Sequence, residues 1–442
     1  MLAVLANRTY RHLFLAQIVA LVGTGLATVA LGLLAVDIAG AEGGAVLGTA
    51  MAIKMVAYIG VAPVVGAYAS RLPRRAFLVA MDLVRCAVAL CLPFVDQVWQ
   101  VYALIFVLQS ASAGFTPTFQ ATVPDILPQE EDYTRALSLS RLAYDMESLT
   151  SPILAAGLLT VMSFHWLFSG TALGFACSAL LVVSVTLPRS VAVAQKGSIY
   201  ANTSRGARIY LKTPRLQGLL AVTLAAAAAS AMVIVNTPVM IKAVLGMDQT
   251  QVAFTLAAFG GGSMLSALVL PRLLGKVGDR PIMLAAAAVL TVTLGALAAA
   301  WQFSGGTPVW GVILAGWIAM GAAYAASVTP GGRLLRRSSD AGDRTALFAA
   351  QFALSHVCWL IAYPVAGQIG AAFGMGAAFL AMAVIAAVGT VVAFLLWPTA
   401  DPEVLPHDHP DMPADHPHLL EHPAGASAHP YVIDDHHQRW PK

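Results

Sequence analysis

The chain has little charge. Asp, Glu, Lys and Arg make up 11% of its 442 residues, against 58% hydrophobic residues. A soluble globular domain carries about 25% charged residues, so the composition excludes an ordinary water-soluble fold and makes lipid the fitting solvent. Cysteine is scarce as well. Cys86, Cys91, Cys177 and Cys358 lie in apolar stretches without Cys-x-x-Cys spacing. That excludes a disulfide framework and a thiolate metal site, and leaves buried, inert thiols as the expectation. No Walker loop is present, so an ATP-driven pump on this chain is not expected. No Ser/His/Asp order and no paired-cysteine zinc pattern marks an enzyme. The formal net charge of +3 is no footprint for nucleic acid, because the basic residues cluster at particular loops. The first apolar run, from about Leu13 to Val36, is too long for the core of a cleavable signal peptide.

Long apolar runs are what the sequence has in abundance. About 20 such residues cross a bilayer as a helix. Twelve candidates lie near 12–36, 45–69, 76–95, 99–122, 138–162, 165–187, 217–241, 250–274, 281–302, 308–329, 346–371 and 374–397. Membrane β-barrels need short alternating segments; these Ala/Leu/Val runs are helical. The basic residues set the orientation. Arg8 and Arg11 precede the first span, and Arg71, Arg74 and Arg75 follow the second. Arg189, Lys196, Arg205, Arg208, Lys212 and Arg215 fill the long central connection. Arg272, Lys276 and Arg280 follow the eighth span, and Arg333, Arg336, Arg337 and Arg344 the tenth. All fall on one side, the expected cytosolic side, which also receives both termini.

The central connection, 188–216, divides the spans six and six. GAYASRLPRR (66–75) and PRLLGKVGDR (271–280) each place a base at the sixth and tenth positions, in the same loop of each half. Paired halves of this kind are a transporter pattern. The first of these loops resembles the signature G-x-x-x-D-R-x-G-R-R of the major facilitator superfamily. Gly66, Arg71, Arg74 and Arg75 match, while Ser70 replaces the aspartate and Pro73 the glycine. Asp82 and Arg85, Pro124 and Asp125, and Pro152 resemble the exporter branch related to siderophore efflux. LFAAQFALSHVCWLIAYPVAG (347–367), joined to a histidine-rich tail, resembles the NreB-type nickel-resistance efflux proteins.

Charged groups at membrane depth are costly and mark function by default. Lys54 lies mid-span; a structural ion pair and a transport role fit it equally. The fifth span is the most polar. Arg141 and Asp145 are four apart on one helical face and are expected to pair near the cytosolic mouth. Glu147 points elsewhere and shares a polar stripe with Ser140, Tyr144 and Ser151, which makes it the first candidate for a proton- or cation-carrying carboxylate. Asn236, beside Thr237 and Pro238, marks either a binding cavity or a tolerated kink. His356 shares a stripe with Phe352, Trp359 and Tyr363, as a proton or metal group or as a histidine packed among aromatics.

Residues 401–442 differ from all that precedes. They hold eight of the eleven histidines: His407, His409, His416, His418, His422, His429, His436 and His437. Eight acids and two bases give the tail a charge of −6 with histidine neutral. Frequent proline and few apolar residues point to disorder. Imidazole with carboxylate and no thiol suits Ni(II), Co(II), Zn(II) or Cu(II). A soluble, weakly chelating tail without a transport role is the plainer alternative.

These readings give an all-α integral membrane protein with twelve spans in two six-helix bundles and a disordered tail. The expected domains are 1–187, a linker at 188–216, 217–400 and the tail at 401–442. The resemblance implies a secondary transporter of the bacterial inner membrane, monomeric, exporting Ni2+ or Co2+ by proton antiport, with no cofactor beyond a transported or tail-bound metal ion. The alternatives are a proton-coupled exporter of an organic substrate (siderophore, metal chelate or drug) and a membrane metal sensor without transport.

Overall fold

The computed structural model describes residues 2–39, 43–69, 72–188, 199–305, 309–401, 404–406, 428–434, 437 and 440. Twelve long helices occur among them. The first six are α1 (Arg8–Ala39), α2 (Gly43–Ala69), α3 (Arg74–Cys91), α4 (Val98–Ile126), α5 (Glu130–Leu159) and α6 (His165–Val183). A short helix, α7 (Ile199–Lys212), follows. Then come α8 (Pro214–Pro238), α9 (Gln249–Val277), α10 (Asp279–Phe303), α11 (Trp310–Val328), the short α12 (Gly331–Arg337), α13 (Arg344–Phe373) and α14 (Met375–Leu396). Every long helix overlaps one of the twelve apolar runs. Helix is the form that satisfies its own backbone in lipid. Phe254, Leu180, Val292 and Leu395 stand exposed on the spans, an outer surface suited to acyl chains.

Among the described residues, ten helices are long and apolar enough, by length and composition, to cross a membrane. The two long helices outside that set are α2, whose apolar part Ala52–Val65 is shorter, and α5. They carry Lys54 and the charges Arg141, Asp145 and Glu147, and both pack against the second half of the chain: α2 on α13 and α5 on α9.

Corresponding helices make corresponding contacts. α1 packs on α6 as α8 packs on α14; α2 packs on α4 as α9 packs on α11; α3 packs on α6 as α10 packs on α14. Single glycines join two helix pairs. Gly278 between α9 and α10 has φ 86°, and Gly374 between α13 and α14 has φ 84°, values that side chains other than glycine's rarely allow. The α9–α11 contact also depends on glycine. A Cβ on Gly321 would overlap the Phe259 carbonyl oxygen, and one on Gly262 the Ile318 carbonyl oxygen. Small residues let membrane helices approach this closely. Gly321→Val is expected to cost about 3 kcal/mol or more, the upper range for overpacking, read as a lowered melting temperature in detergent.

Pro238 ends α8, and the chain continues as a π-helical turn, Val239–Val244. The proline read as marking either a binding cavity or a tolerated kink thus sits at a change of helix type. Residues 188–216, read from sequence as a polar connection, contain α7. This helix packs on both α13 and α2, and Arg205 grips Asp343 with two bonds of 2.6 and 2.8 Å.

The end of the bundle with the α1 N-terminus, α7 and α12 carries Arg8, Arg11, Arg74, Arg205 and Arg333 and is the basic end of the molecule. Part of the tail is ordered there. Val404–Pro406 (β1) pairs antiparallel with Ala428–Pro430 (β2), Leu405 opposite His429. Tyr431 and Ile433 are 6% and 5% exposed and join the core of the second half. Arg215, 1% exposed, pairs with Asp401 at 3.2 Å and lies 4.9 Å from the Trp440 ring. At these positions three aromatic or branched side chains within 431–440 find an apolar surface. His407, His409, His416, His418, His422 and His436 lie outside the described residues.

Candidate transport site between the two halves

The helical rise of 1.5 Å per residue sets depth. Lys54 lies about 16 Å into α2 from the end opposite the basic one, and His356 about 18 Å into α13 from the basic end. These helices face each other across the two halves. The Lys54 ammonium is 5.5 Å from the centre of the Tyr58 ring. Tyr58 meets His356 edge-on at 4.6 Å and Phe352 at 4.8 Å. Its hydroxyl donates to Gln109 Oε1 on α4 at 2.9 Å. His356 Nδ1 is 2.6 Å from the Phe352 carbonyl oxygen. A carbonyl only accepts, so Nδ1 carries the proton and neutral His356 keeps Nε2 as its basic nitrogen. Trp359 completes the aromatic wall, its indole N–H donating to Ser230 Oγ at 2.7 Å.

Glu147 lies on α5, about 25 Å from the basic end of that helix. Glu147 and Ser151 also press on Gly25 of α1. A Cβ there would stand 2.6 Å from Glu147 Oε1 and overlap Ser151 Oγ. An ammonium and an imidazole thus flank the Tyr58 ring at mid-depth, and a carboxylate lies at a similar depth on α5. Such a set can pass a proton, or exchange a proton for a cationic group.

Nearer the basic end, a second network ties α5 to α9. Arg141 Nε donates to Asp145 Oδ2 at 3.1 Å and to Ser263 Oγ at 3.2 Å. The Ser263 hydroxyl donates to Asp145 Oδ2 at 2.6 Å. The Arg141 guanidinium lies 5.0 Å from the Tyr324 ring on α11. The spacing of four residues does bring Arg141 and Asp145 together. The pair sits three turns inside α5 and not at its mouth, because α5 begins at Glu130, well before the start read from hydropathy.

At the basic end ion pairs close the seam. Asp125 of α4 is held by both Arg74 of α3 and Arg344 of α13. Arg333 of α12 meets Glu130 of α5 and, at 2.9 Å, Asp279 of α10, and donates to Thr134 Oγ1 at 2.6 Å. Of the loop signature, Arg74 is committed to this seam and Arg75 is exposed. Gly66 lies in the last turn of α2, and Arg71 lies outside the described residues.

Asn236 is placed apart. It is 2% exposed and donates to the Ala366 carbonyl oxygen at 3.1 Å, a tie between α8 and α13 within one half. His437 is 4% exposed, with Nδ1 3.0 Å from Asp434 Oδ1, and His429 lies in β2. No group of three or more metal-ligating side chains occurs among the described residues. Sequence reading passed over Tyr58, Ser263, Tyr324 and Gln109. Tyr58 had a local signal, one helical turn from Lys54. The other three are polar residues in apolar helices whose partners are distant in sequence.

The sequence model of the Major Facilitator Superfamily matches residues 13–292 and 219–427. The chain belongs to the major facilitator superfamily. Solved structures of superfamily transporters and of other carriers share its fold. One is the human organic anion transporter MFSD10, with TM-score 0.72 and 14% identity, covering 87% of this chain and 99% of that one. Another is a bacterial homologue of the iron transporter ferroportin in an outward-facing state, with TM-score 0.71 and 15% identity, covering 88% and 98%. Sequence relatives are more partial. Macrolide efflux protein A of Streptococcus pyogenes is 26% identical over 153 residues, 32% of this chain and 38% of that protein. The uncharacterized MFS-type transporter YfiS of Bacillus subtilis is 28% identical over 127 residues, 29% and 30% respectively. The match spans about a third of the length of these curated relatives. This superfamily member is a multi-pass membrane transporter.

Proposed function

We propose that this transporter exports a divalent transition metal, nickel or cobalt, from the cytosol against inward proton movement. The basic end faces the cytosol by the positive-inside rule, which puts both termini there in a bacterial inner membrane. The two halves, 1–187 and 217–400, rock about the mid-depth cluster. With the basic-end seam closed, this conformer faces outward. Glu147 is the coupling carboxylate, and Lys54 is the charge that competes for it. His356 offers a nitrogen donor of the kind such ions take.

The observation that carries the reading is the anchoring of the tail. The histidine-rich stretch begins after β1, ends before β2, and is flanked by Asp401 on one side and by Tyr431 and Ile433 on the other, all seated on the second half. A tail that merely trailed into solvent would have no reason to bury these residues. Together with the resemblance of 347–367 to nickel-efflux proteins, this favours metal delivery at the cytosolic face.

The test is the sensitivity of a host with and without the gene to nickel, cobalt and zinc and to a macrolide panel. Protection against nickel or cobalt alone supports the reading. Removing 407–427, with β1 and β2 rejoined by a short linker, is expected to lower nickel resistance about tenfold while protein level is unchanged. Full resistance after that deletion would reject a role for the tail.

One alternative has its own support. The mid-depth wall of Tyr58, Phe352, His356 and Trp359 suits an organic, ring-bearing cargo, and the partial relatives include macrolide efflux proteins. Protection against macrolides without protection against metals would favour it.

A further inference from the structure

At the basic end a cleft of about 140 Å³ lies between the start of α5 and α12–α13. Glu130, Tyr133, Arg333, Arg336, Arg337 and Arg344 line it. A water occupies about 30 Å³ of liquid, so the cleft has room for a group of phosphate size. Four guanidiniums face one carboxylate, which leaves the lining three charges positive. The neighbouring carboxylates are already shared. Asp125 serves Arg74 and Arg344, and Asp279 serves Arg333 and, at 3.6 Å, Arg337. Glu130 is engaged by Arg333 and its side chain is 59% exposed.

Two groups remain in want of an acceptor. Arg336 has no carboxylate partner among the described residues. It donates to the Pro128 carbonyl oxygen, and its guanidinium lies 5.6 Å from the Tyr133 ring. Tyr133 is 1% exposed, and its hydroxyl is buried without a hydrogen-bond partner among the described residues. A buried hydroxyl left unmet is costly. A phenolic donor beside several planar guanidinium forks is a donor set matched to a tetrahedral oxyanion.

We propose that this cleft binds a phosphate-type oxyanion and that its occupancy holds the two halves together at the basic end. The wall is shared. Glu130 and Tyr133 belong to the first half and the four arginines to the second, so opening the seam takes the site apart. An anion that binds only the closed seam must shift the equilibrium toward it, and closure must tighten the anion by the same factor. The inference is independent of whether the cargo is a metal ion or an organic molecule. The phosphoryl group can come from dissolved phosphate or from an anionic phospholipid headgroup at the membrane surface.

The experiment uses the full chain in nanodiscs, with spin labels on α5 near Glu131 and on the loop between α12 and α13. In zwitterionic lipid, inorganic phosphate is titrated against potassium chloride at equal ionic strength. In a second arm, anionic phospholipid replaces part of the zwitterionic lipid without phosphate. A shift of the label distances toward the short, closed population in the first arm identifies free phosphate; the same shift in the second identifies the headgroup. In either arm Arg336→Ala is expected to weaken the response at least about tenfold, as loss of a charge-assisted contact should, and Arg336→Lys to restore part of it. No shift in either arm overturns the proposal. So does an equal shift with chloride, or a response that Arg336→Ala leaves unchanged.

Discussion

Glu147→Gln abolishes proton-driven efflux while the protein reaches the membrane at its normal level. Glutamine keeps the shape and loses the titratable oxygen, so packing against Gly25 and Ser151 survives. Removing a positioned proton-transfer group commonly costs about 10²-fold or more in rate, and efflux in everted vesicles should fall by that amount. The sharper readout is exchange. A variant locked in one charge state still swaps labelled cargo for unlabelled cargo across the membrane, because that half-cycle needs no net proton movement. Loss of both efflux and exchange would make Glu147 a structural or cargo-binding group. Unchanged efflux would remove it from the mechanism. Lys54 supplies the counterpart: Lys54→Met takes away the ammonium beside the Tyr58 ring and is expected to shift the pH dependence of efflux.

Asp145→Ala is expected to be strongly destabilising. Asp145 is 2% exposed and accepts from both Arg141 and Ser263. Its loss leaves Arg141 charged and unpaired at depth, which typically costs about 3–5 kcal/mol when a buried pair loses one partner. Melting in detergent should drop accordingly. Replacing both members by apolar residues of similar volume, Arg141→Met with Asp145→Leu, is expected to recover most of that stability, since an apolar pair pays no desolvation. The double variant still lacks the tie to Ser263 on α9. It should therefore be stable and yet populate the conformer opened at the basic end. Equal melting of the single and the double variant would show that Arg141 and Asp145 are not energetically coupled.

The spans were legible because hydrophobicity over some 20 residues is a property of the local sequence. The pairing of Arg141 with Asp145 was legible for the same reason: helical spacing is local. α7 was not, because its sequence IYANTSRGARIYLK is half polar and only its seat against α2 and α13 explains its order. The placement of Lys54 and His356 about the Tyr58 ring, with Glu147 at similar depth, was also out of reach. Each was visible alone as a costly group in an apolar span, but their relative placement depends on how three helices from two halves pack. The basic-end seam has the same character. Asp125 looked like part of a short motif, whereas its partners, Arg74 and Arg344, lie in helices 51 and 219 positions away. In the tail, low hydropathy averaged over 42 residues concealed Tyr431, Ile433 and Trp440, which suffice to fasten one segment.

That fastening bears on how the protein can be handled. The Arg215 guanidinium lies 4.9 Å from the Trp440 ring, so an affinity tag or fluorescent fusion attached close behind Trp440 competes with this seat on the second half. At the other end, Val4 is 3% exposed within a short helix, Leu2–Ala6, and an N-terminal fusion meets the same difficulty. Expression vectors for this transporter are better built with the tag behind a flexible spacer, and yields compared between tagged ends report on local seating as much as on expression.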